Sequence, residues 1–416
     1  MSGPVRLALG NRCVLLLHED HSSPMIAFRG SVRAGAAFGR PGVAEFASRL
    51  LLRGTRRRTA SQLADAIEDA GAAVSCANGM ESATIEGRCT RESLRPIMRI
   101  LVESLSEPAF PSAELEKVRG EILGDIREQQ DDTRRAAARR LFEIVYPATH
   151  PFHRDPKGDA GTAAGTQRPV VRAFHEAFYG AAGMIFGFSG DLDVDTLQST
   201  VAGAFETLEA GQEPASVPLP KATRRGSAVV PMAHKSQADF VAGRIAVPRT
   251  HPDYYAVNLA NILLGRIGLY GRMGAKVRDE LGLAYYSFST LDARRAAGHW
   301  TVSAGVNPKN LAKAVSAIRA EMERLKREPF SDAEIRDGKT HLVGALQVAL
   351  ERNAEYASAL HDIEYFGLGA DFLARYPRIV RSLDADDVRR KAVEYFDPDE
   401  CSWVASGPVK GMKLAF

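Results

Sequence analysis

The stretch "DELGLAYYS" (Asp279–Ser287) decides the fold, because nearly the same pattern occurs earlier as "EDAGAAVS" (Glu68–Ser75). Each places an acidic pair at the end of an expected helix, a glycine at the C-cap position and a strand directly after it. Two further pairs follow in the same order. "EPAFPSAELEKVRGEILGDI" (Glu107–Ile126) is similar to "EPFSDAEIRDGKTHLVGAL" (Glu328–Leu346), so that Gly124 faces Gly344, and both open a long helix after a Ser or Asp cap. "FYGAAGMIFGFSGDL" (Phe178–Leu192) is similar to "YFDPDECSWVASGPV" (Tyr395–Val409), with Gly190 facing Gly407. Three matches in one order, with spacings that differ only by loop-sized insertions, predict two copies of a single unit.

Between the copies, "EAGQEPASVPLPKATRRGSA" (Glu209–Ala228) is rich in proline and lacks apolar periodicity, so it reads as a semi-rigid linker. The expected domains are therefore residues 1–208, a linker at 209–228, and residues 229–416. Within each copy, strands such as "MIAFRGSV" (Met25–Val32) and "HWTVSAGV" (His299–Val306) come in groups, with helices of period 3.6 between groups. One helix, Gln62–Asp69, is announced by a capping box of Thr59 and Gln62 and stopped by Gly71. Grouped strands predict an α+β class, two homologous units each with an antiparallel sheet backed by helices.

A chain of 416 residues exceeds one ordinary core, and 45% apolar with 25% charged residues is a globular composition. Fifty-four basic against 51 acidic residues leave a net charge of +3, which predicts neither nucleic-acid nor membrane binding. The basic run Arg134–Arg140 reads as a solvated helix face. Val14–Leu17, the longest early apolar run, is too short for a secretory or membrane segment. A cytoplasmic home is expected, or a periplasmic one had a leader been removed. Cys13, Cys76, Cys89 and Cys401 show no CxxC spacing and read as isolated thiols.

With that architecture, the motifs resemble the short-subunit branch of the pitrilysin and insulinase metallopeptidases, which includes mitochondrial processing peptidase. The residues that carry the resemblance are "GVAEFASRLLLRGT" (Gly42–Thr55), the "GDI" ending at Ile126, "HPFHRDPKG" (His150–Gly158), Asn261, and "LLGRIGLYGRMGAKVRDELGLAYYS" (Leu263–Ser287). The resemblance implies half of a clamshell-shaped, zinc-dependent peptidase. Active members carry H-x-x-E-H in the first stretch: two histidines at i and i+4 share a helix face and bind zinc, and the glutamate activates water.

Here that frame falls on Glu45, Ser48 and Arg49, and the third-ligand position falls on Asp125. Arg49 is a fixed cation where a neutral imidazole is needed, and Ser48 cannot replace a carboxylate base. The frame predicts no metal site in this chain. Glu45 and Arg49 form an i, i+4 pair in the favourable order, and the expectation is that the Arg49 guanidinium occupies the former metal position, held by Glu45 and Asp125.

In the second copy the family's Arg/Tyr pair, seven residues apart, matches Arg278 and Tyr285 in the "GLAYY" context. The resemblance gives them a catalytic role, as hydrogen-bond donors to the scissile carbonyl. It also makes the segment of Gly265, Gly268 and Gly271 a flexible substrate-contacting loop; no P-loop signature is present. His150 with His153, His18 with His21, and His361 with Glu364 read as residues without metal chemistry, Pro151 interrupting the helix that the first spacing would need.

A lost zinc half beside a retained Arg/Tyr half implies the non-catalytic subunit of a heterodimeric zinc peptidase. Its expected partner is a homologous catalytic subunit with H-x-x-E-H intact and its own zinc, and the expected substrates are peptides. The alternative is a structural or assembly protein that reuses the fold without proteolysis.

Overall fold

The computed structural model describes residues 4–220 and 225–409, so residues 221–224 of the expected linker lie outside the described part. Residues 209–220 form no regular element. The chain divides into two units, and neither is a contiguous half: unit 1 is Met1–Ile126, Asp155–Val217 and Gln347–Leu373, and unit 2 is Arg127–Arg154, Pro218–Leu346 and Ala374–Phe416.

Unit 1 holds strands β1 (Val5–Ala8), β2 (Val14–Glu19), β3 (Met25–Val32), β4 (Ala73–Asn78), β5 (Ala83–Thr90) and β6 (Ile185–Gly190), in the sheet order β1-β2-β6-β3-β5-β4. Unit 2 holds β7 (Ser227–Pro231), β8 (Ala238–Ala246), β9 (Ala284–Ala293), β10 (Gly298–Val306) and β11 (Ser402–Gly407), in the order β7-β11-β8-β10-β9. Apart from the added β1, the two orders are the same, as a duplication requires. The equivalent glycines also share backbone conformation: Gly71 and Gly282 both have φ 59°, and Gly190 and Gly407 have φ 133° and 124°. All four occupy the positive-φ region that favours glycine.

The sheets are antiparallel except for one pair in each, β2 with β6 and β7 with β11. The last strand of each unit returns through helices to lie beside β2 in unit 1 and beside β7 in unit 2, the kind of connection that allows parallel pairing.

The helices are α1 (Val43–Leu50), α2 (Ala60–Asp69), α3 (Leu94–Ser106), α4 (Ser112–Asp131), α5 (Thr133–Val145), α6 (Ala160–Gly165), α7 (Arg168–Phe178), the turns α8 (Val194–Thr196) and α9 (Gly203–Phe205), α10 (Tyr254–Gly265), α11 (Ile267–Gly274), α12 (Leu311–Arg324), α13 (Asp332–Ala349), α14 (Asn353–Tyr365), α15 (Phe372–Arg381) and α16 (Ala385–Tyr395). Equivalent helices are exchanged between the units: α14 covers β6 and β3 in unit 1, and α5 covers β8 and β11 in unit 2.

Because these helices cover a second sheet face, β6 and β11 are buried along their whole length and read as apolar runs rather than alternations. Close approach needs small residues. A Cβ on Gly187 would lie 2.3 Å from the Ala357 carbonyl oxygen of α14. Polar anchors fix the exchanged helices: His361 Nε2 bonds Ser31 Oγ at 2.7 Å, and Thr133 Oγ1 donates to the buried Asp239, which also accepts from the Tyr286 hydroxyl. The core of unit 1 gathers Phe28, Phe46, Phe186 and Phe188; that of unit 2 gathers Phe240, Trp300, Phe330 and Trp403.

Candidate functional site

Helix α1 carries the frame "VAEFASRL" and is buried along nearly all of its length. It starts at Gly42, whose φ of 81° and missing side chain allow a close backbone approach: a Cβ there would lie 2.8 Å from the Lys157 carbonyl oxygen. Gly158, also at positive φ, faces Gly42 from the other side. This glycine pair seats residues 155–158 on the start of α1. From α4, the buried Val118, Ile122 and Ile126 fix the turn that presents Asp125.

These elements bring three of the four frame residues together through Arg49. Arg49 Nε donates to Glu45 Oε1 at 2.8 Å, and Arg49 Nη2 donates to Asp125 Oδ2 at 2.5 Å. Glu121 Oε2 lies 3.8 Å from Arg49 Nη1. Lys157 Nζ donates to the same Asp125 oxygen at 2.8 Å. Ser48 stands apart from this chemistry, its hydroxyl donating to the Glu45 backbone carbonyl.

Burial opposes the Arg49 charge, but its hydrogen bond to Asp125 and the charge of Glu45 outweigh burial and raise its pKa. Asp125 is held below the ordinary carboxylate range, first by Lys157 and then by Arg49.

This donor set does not fit zinc. A zinc ion needs uncharged imidazoles, thiolates or free carboxylates, whereas two fixed cations occupy Asp125 and one of them occupies Glu45. The Cys76 thiol is no substitute, because burial, aided by Glu45, pushes its pKa up to about 12. Among the described residues no three His, Cys, Asp or Glu side chains gather in a way that could hold a metal ion.

In unit 2, Arg278 lies in the last turn of a wide helical segment (Ala275–Glu280), and Tyr285 is the second residue of β9, an edge strand. Tyr285 is 65% exposed, while its neighbour Tyr286 points the other way to Asp239. Arg278 Nη1 lies 3.8 Å from Asp279 Oδ1, a loose contact, and Glu280 is taken by Lys276.

The glycine segment departs from the expected loop: Gly265 ends α10, and Gly268 and Gly271 lie within α11. Packing explains why two of the three positions are glycine. A Cβ on Gly265 would meet Ser289 Oγ at 2.3 Å, and one on Gly271 would meet the Leu263 carbonyl oxygen at 2.6 Å. Gly268, at φ 59°, has nothing within 4 Å and marks the turn. Asn261 is buried behind it, accepting from Ser289 Oγ at 2.7 Å and Trp300 Nε1 at 2.9 Å.

The histidines are committed elsewhere. His150 Nε2 meets the Pro218 carbonyl and His153 Nδ1 the Tyr146 carbonyl, both at 2.9 Å. His18 bonds Ser189 and His21 bonds Asp191, while Glu364 pairs with Arg6. Sequence reasoning missed Lys157, although it stands inside the quoted "HPFHRDPKG". The available signal was Gly158, whose pairing with Gly42 sets the loop against α1.

Residues 22–152 match the insulinase (peptidase family M16) family, and residues 166–342 match the peptidase M16 inactive domain. An uncharacterized zinc protease of Streptomyces coelicolor is 25% identical over 361 residues, covering 84% of this chain and 77% of that protein. One of Rickettsia felis is 23% identical over 357 residues, covering 85% of each. Among solved structures, a peptidase M16 inactive domain from Pseudomonas fluorescens superposes with a TM-score of 0.92 at 22% identity, covering 99% of both chains. A protease from Helicobacter pylori gives 0.88 at 19% identity, covering 97% of this chain and 99% of that one. The likeness in structure runs the whole length of the fold, and the sequence matches take in both copies of the duplicated unit. The chain belongs to the M16 (insulinase) family of peptidases.

Proposed function

We propose that this chain is the non-catalytic subunit of a heterodimeric zinc metallopeptidase, acting beside a homologous subunit that carries H-x-x-E-H and the zinc. The observation that carries the proposal is the replacement of a metal site by a cation: Arg49 is hydrogen-bonded to Glu45 and Asp125 where the frame would place ligands. A chain so built cannot activate water itself.

Arg278 and Tyr285 support a continuing part in peptide binding. Tyr285 is exposed on an edge strand, where unpaired backbone groups can take up an extended peptide. In this role the guanidinium and the phenol donate hydrogen bonds to a peptide carbonyl, orient it, and stabilise the negative charge that develops on its oxygen. The glycine segment of Gly265, Gly268 and Gly271 borders this region in the chain and would shape the adjoining wall. Zinc protease is also the name borne by the relatives in Streptomyces coelicolor and Rickettsia felis. Among the described residues no helix is long and apolar enough to cross a membrane.

The test is Arg278→Ala in the reconstituted pair. Removing one oxyanion donor should lower kcat by about a hundredfold, with the pair still co-eluting on gel filtration. Unchanged turnover would remove Arg278 from the mechanism and favour a purely structural role.

A further inference from the structure

Unit 1 contains a cavity of about 1220 Å³. Its walls are the loop Arg56–Arg58, one face of α3, the end of α7 and residues 199–211. Five arginines line it: Arg56, Arg57, Arg58, Arg95 and Arg99. Two are spent. Arg58 pairs with Glu103, which also takes the Thr55 hydroxyl, and Arg57 reaches Glu107 through Nε at 3.3 Å and Nη2 at 3.2 Å. Glu176, a third acid on the wall, is taken by Arg172 at 2.8 Å.

The side chains of Arg56, Arg95 and Arg99 have no hydrogen-bond or ion-pair partner among the described residues, and all three are exposed. Arg95 and Arg99 stand at i and i+4 on α3, so they share a face and repel each other. Arg56 is held at the other end of that helix by its backbone N–H, which donates to the Glu107 carbonyl at 3.0 Å. Three unneutralised guanidinium groups thus surround one concavity, against a single unpaired acid, Glu209. An anion seated there would gain from all three charges at once.

We propose that this cavity binds a compact oligophosphate, a run of linked phosphate groups either free or as the tail of a nucleotide. Guanidinium groups are donors only, with a fork that matches phosphate oxygens. Much of the lining is helical, with its peptide groups engaged in helix hydrogen bonds, so the wall offers few free backbone acceptors to the N–H groups of an extended peptide. A ligand that only accepts suits the guanidinium groups. The site shares no residue with the Glu45, Arg49 and Asp125 cluster, and the proposal does not depend on the peptidase role.

The test is calorimetric titration of the full chain with tripolyphosphate at low salt, repeated on Arg95→Ala/Arg99→Ala. Both residues are exposed, so the variant should fold. The expected result is saturable binding to the unaltered chain, weakened about a hundredfold in the variant, each lost charge-assisted hydrogen bond accounting for about tenfold. ATP in place of tripolyphosphate separates the two sources: equal or tighter binding with the same loss assigns a nucleotide tail, and weaker binding assigns a free oligophosphate. A control variant, Arg135→Ala/Arg140→Ala on α5, should bind as the unaltered chain does. No binding of tripolyphosphate, an equal loss in the control variant, or tighter binding of a polyglutamate peptide would overturn the assignment.

Discussion

Replacing Arg49 by alanine should destabilise unit 1 by an amount the geometry bounds. The guanidinium donates to Glu45, whose side chain is 8% exposed, and to Asp125, whose side chain is 34% exposed. Leaving one member of a buried ion pair without its partner costs about 3–5 kcal/mol, whereas an exposed pair contributes about 0–1 kcal/mol. Glu45 stands near the first limit. Asp125 stands near the second and keeps Lys157. With Arg49 itself partly exposed, the expected loss is about 2–3 kcal/mol. In Glu45→Ala/Arg49→Ala the orphaned carboxylate is gone, so the double variant should be more stable than the sum of the single losses by about 1–2 kcal/mol.

Urea unfolding followed by far-UV circular dichroism is the suitable assay. Trp300 and Trp403, the only tryptophans, both lie in unit 2, so their fluorescence would miss an event in unit 1. The pH dependence has a definite sign. Asp125 has a folded-state pKa below its unfolded value, so its pairing stabilises the fold above the ordinary carboxylate pKa and ceases to do so as pH falls through the folded value. The gap between the unaltered chain and Arg49→Ala should therefore narrow below about pH 4. A loss under about 0.5 kcal/mol at neutral pH, the level of a solvated pair, would refute the reasoning.

Other outcomes follow from the same geometry. Gly265→Ala should cost about 1–3 kcal/mol by overpacking against Ser289, whereas Gly268→Ala, which meets only open space, should cost about 1 kcal/mol from its left-handed backbone; paired thermal melts decide. Thr133→Val removes a donor from Asp239, which is 1% exposed, and should lower the stability of unit 2 by about 1–2 kcal/mol, read by tryptophan fluorescence because Trp403 packs near the same strand. Arg278→Ala should depress turnover of the reconstituted pair without separating its subunits, as measured by gel filtration beside the activity assay.

Local elements were legible wherever the signal was local. The capping box of Thr59 and Gln62 is formed by both side chains, opening α2 one turn or less before the expected start, and Gly71 closes it in the left-handed conformation. β3 has the expected limits, and β10 begins one residue earlier than read. The i, i+4 spacing of Glu45 and Arg49 foretold their hydrogen bond, and the repeat aligned glycines whose backbone angles agree.

What the sequence hid was the destination of helices. Nothing in "TRRAAARRLFEIV" says that α5 packs on strands more than 90 residues away; the choice is made by Thr133 meeting Asp239 and by Leu141 facing Gly243, pairings that exist only after folding. That residues 265–271 are largely helical rather than a loop was hidden for a related reason, which applies at Gly265 and Gly271. A glycine that admits a close neighbour looks, in sequence, like one that loosens a loop. Lys157 was hidden because its position depends on two glycines more than a hundred residues apart.

The most direct test of the central claim is hydrolysis of an unstructured peptide, with zinc content measured on the same samples, by the purified chain alone and mixed with a homologous chain that carries H-x-x-E-H. The expected result is no zinc and no hydrolysis in this chain alone, little in the homologue alone, and zinc-dependent cleavage in the mixture. Stoichiometric zinc with hydrolysis by this chain alone, or a homologue that gains nothing from its presence, would contradict it.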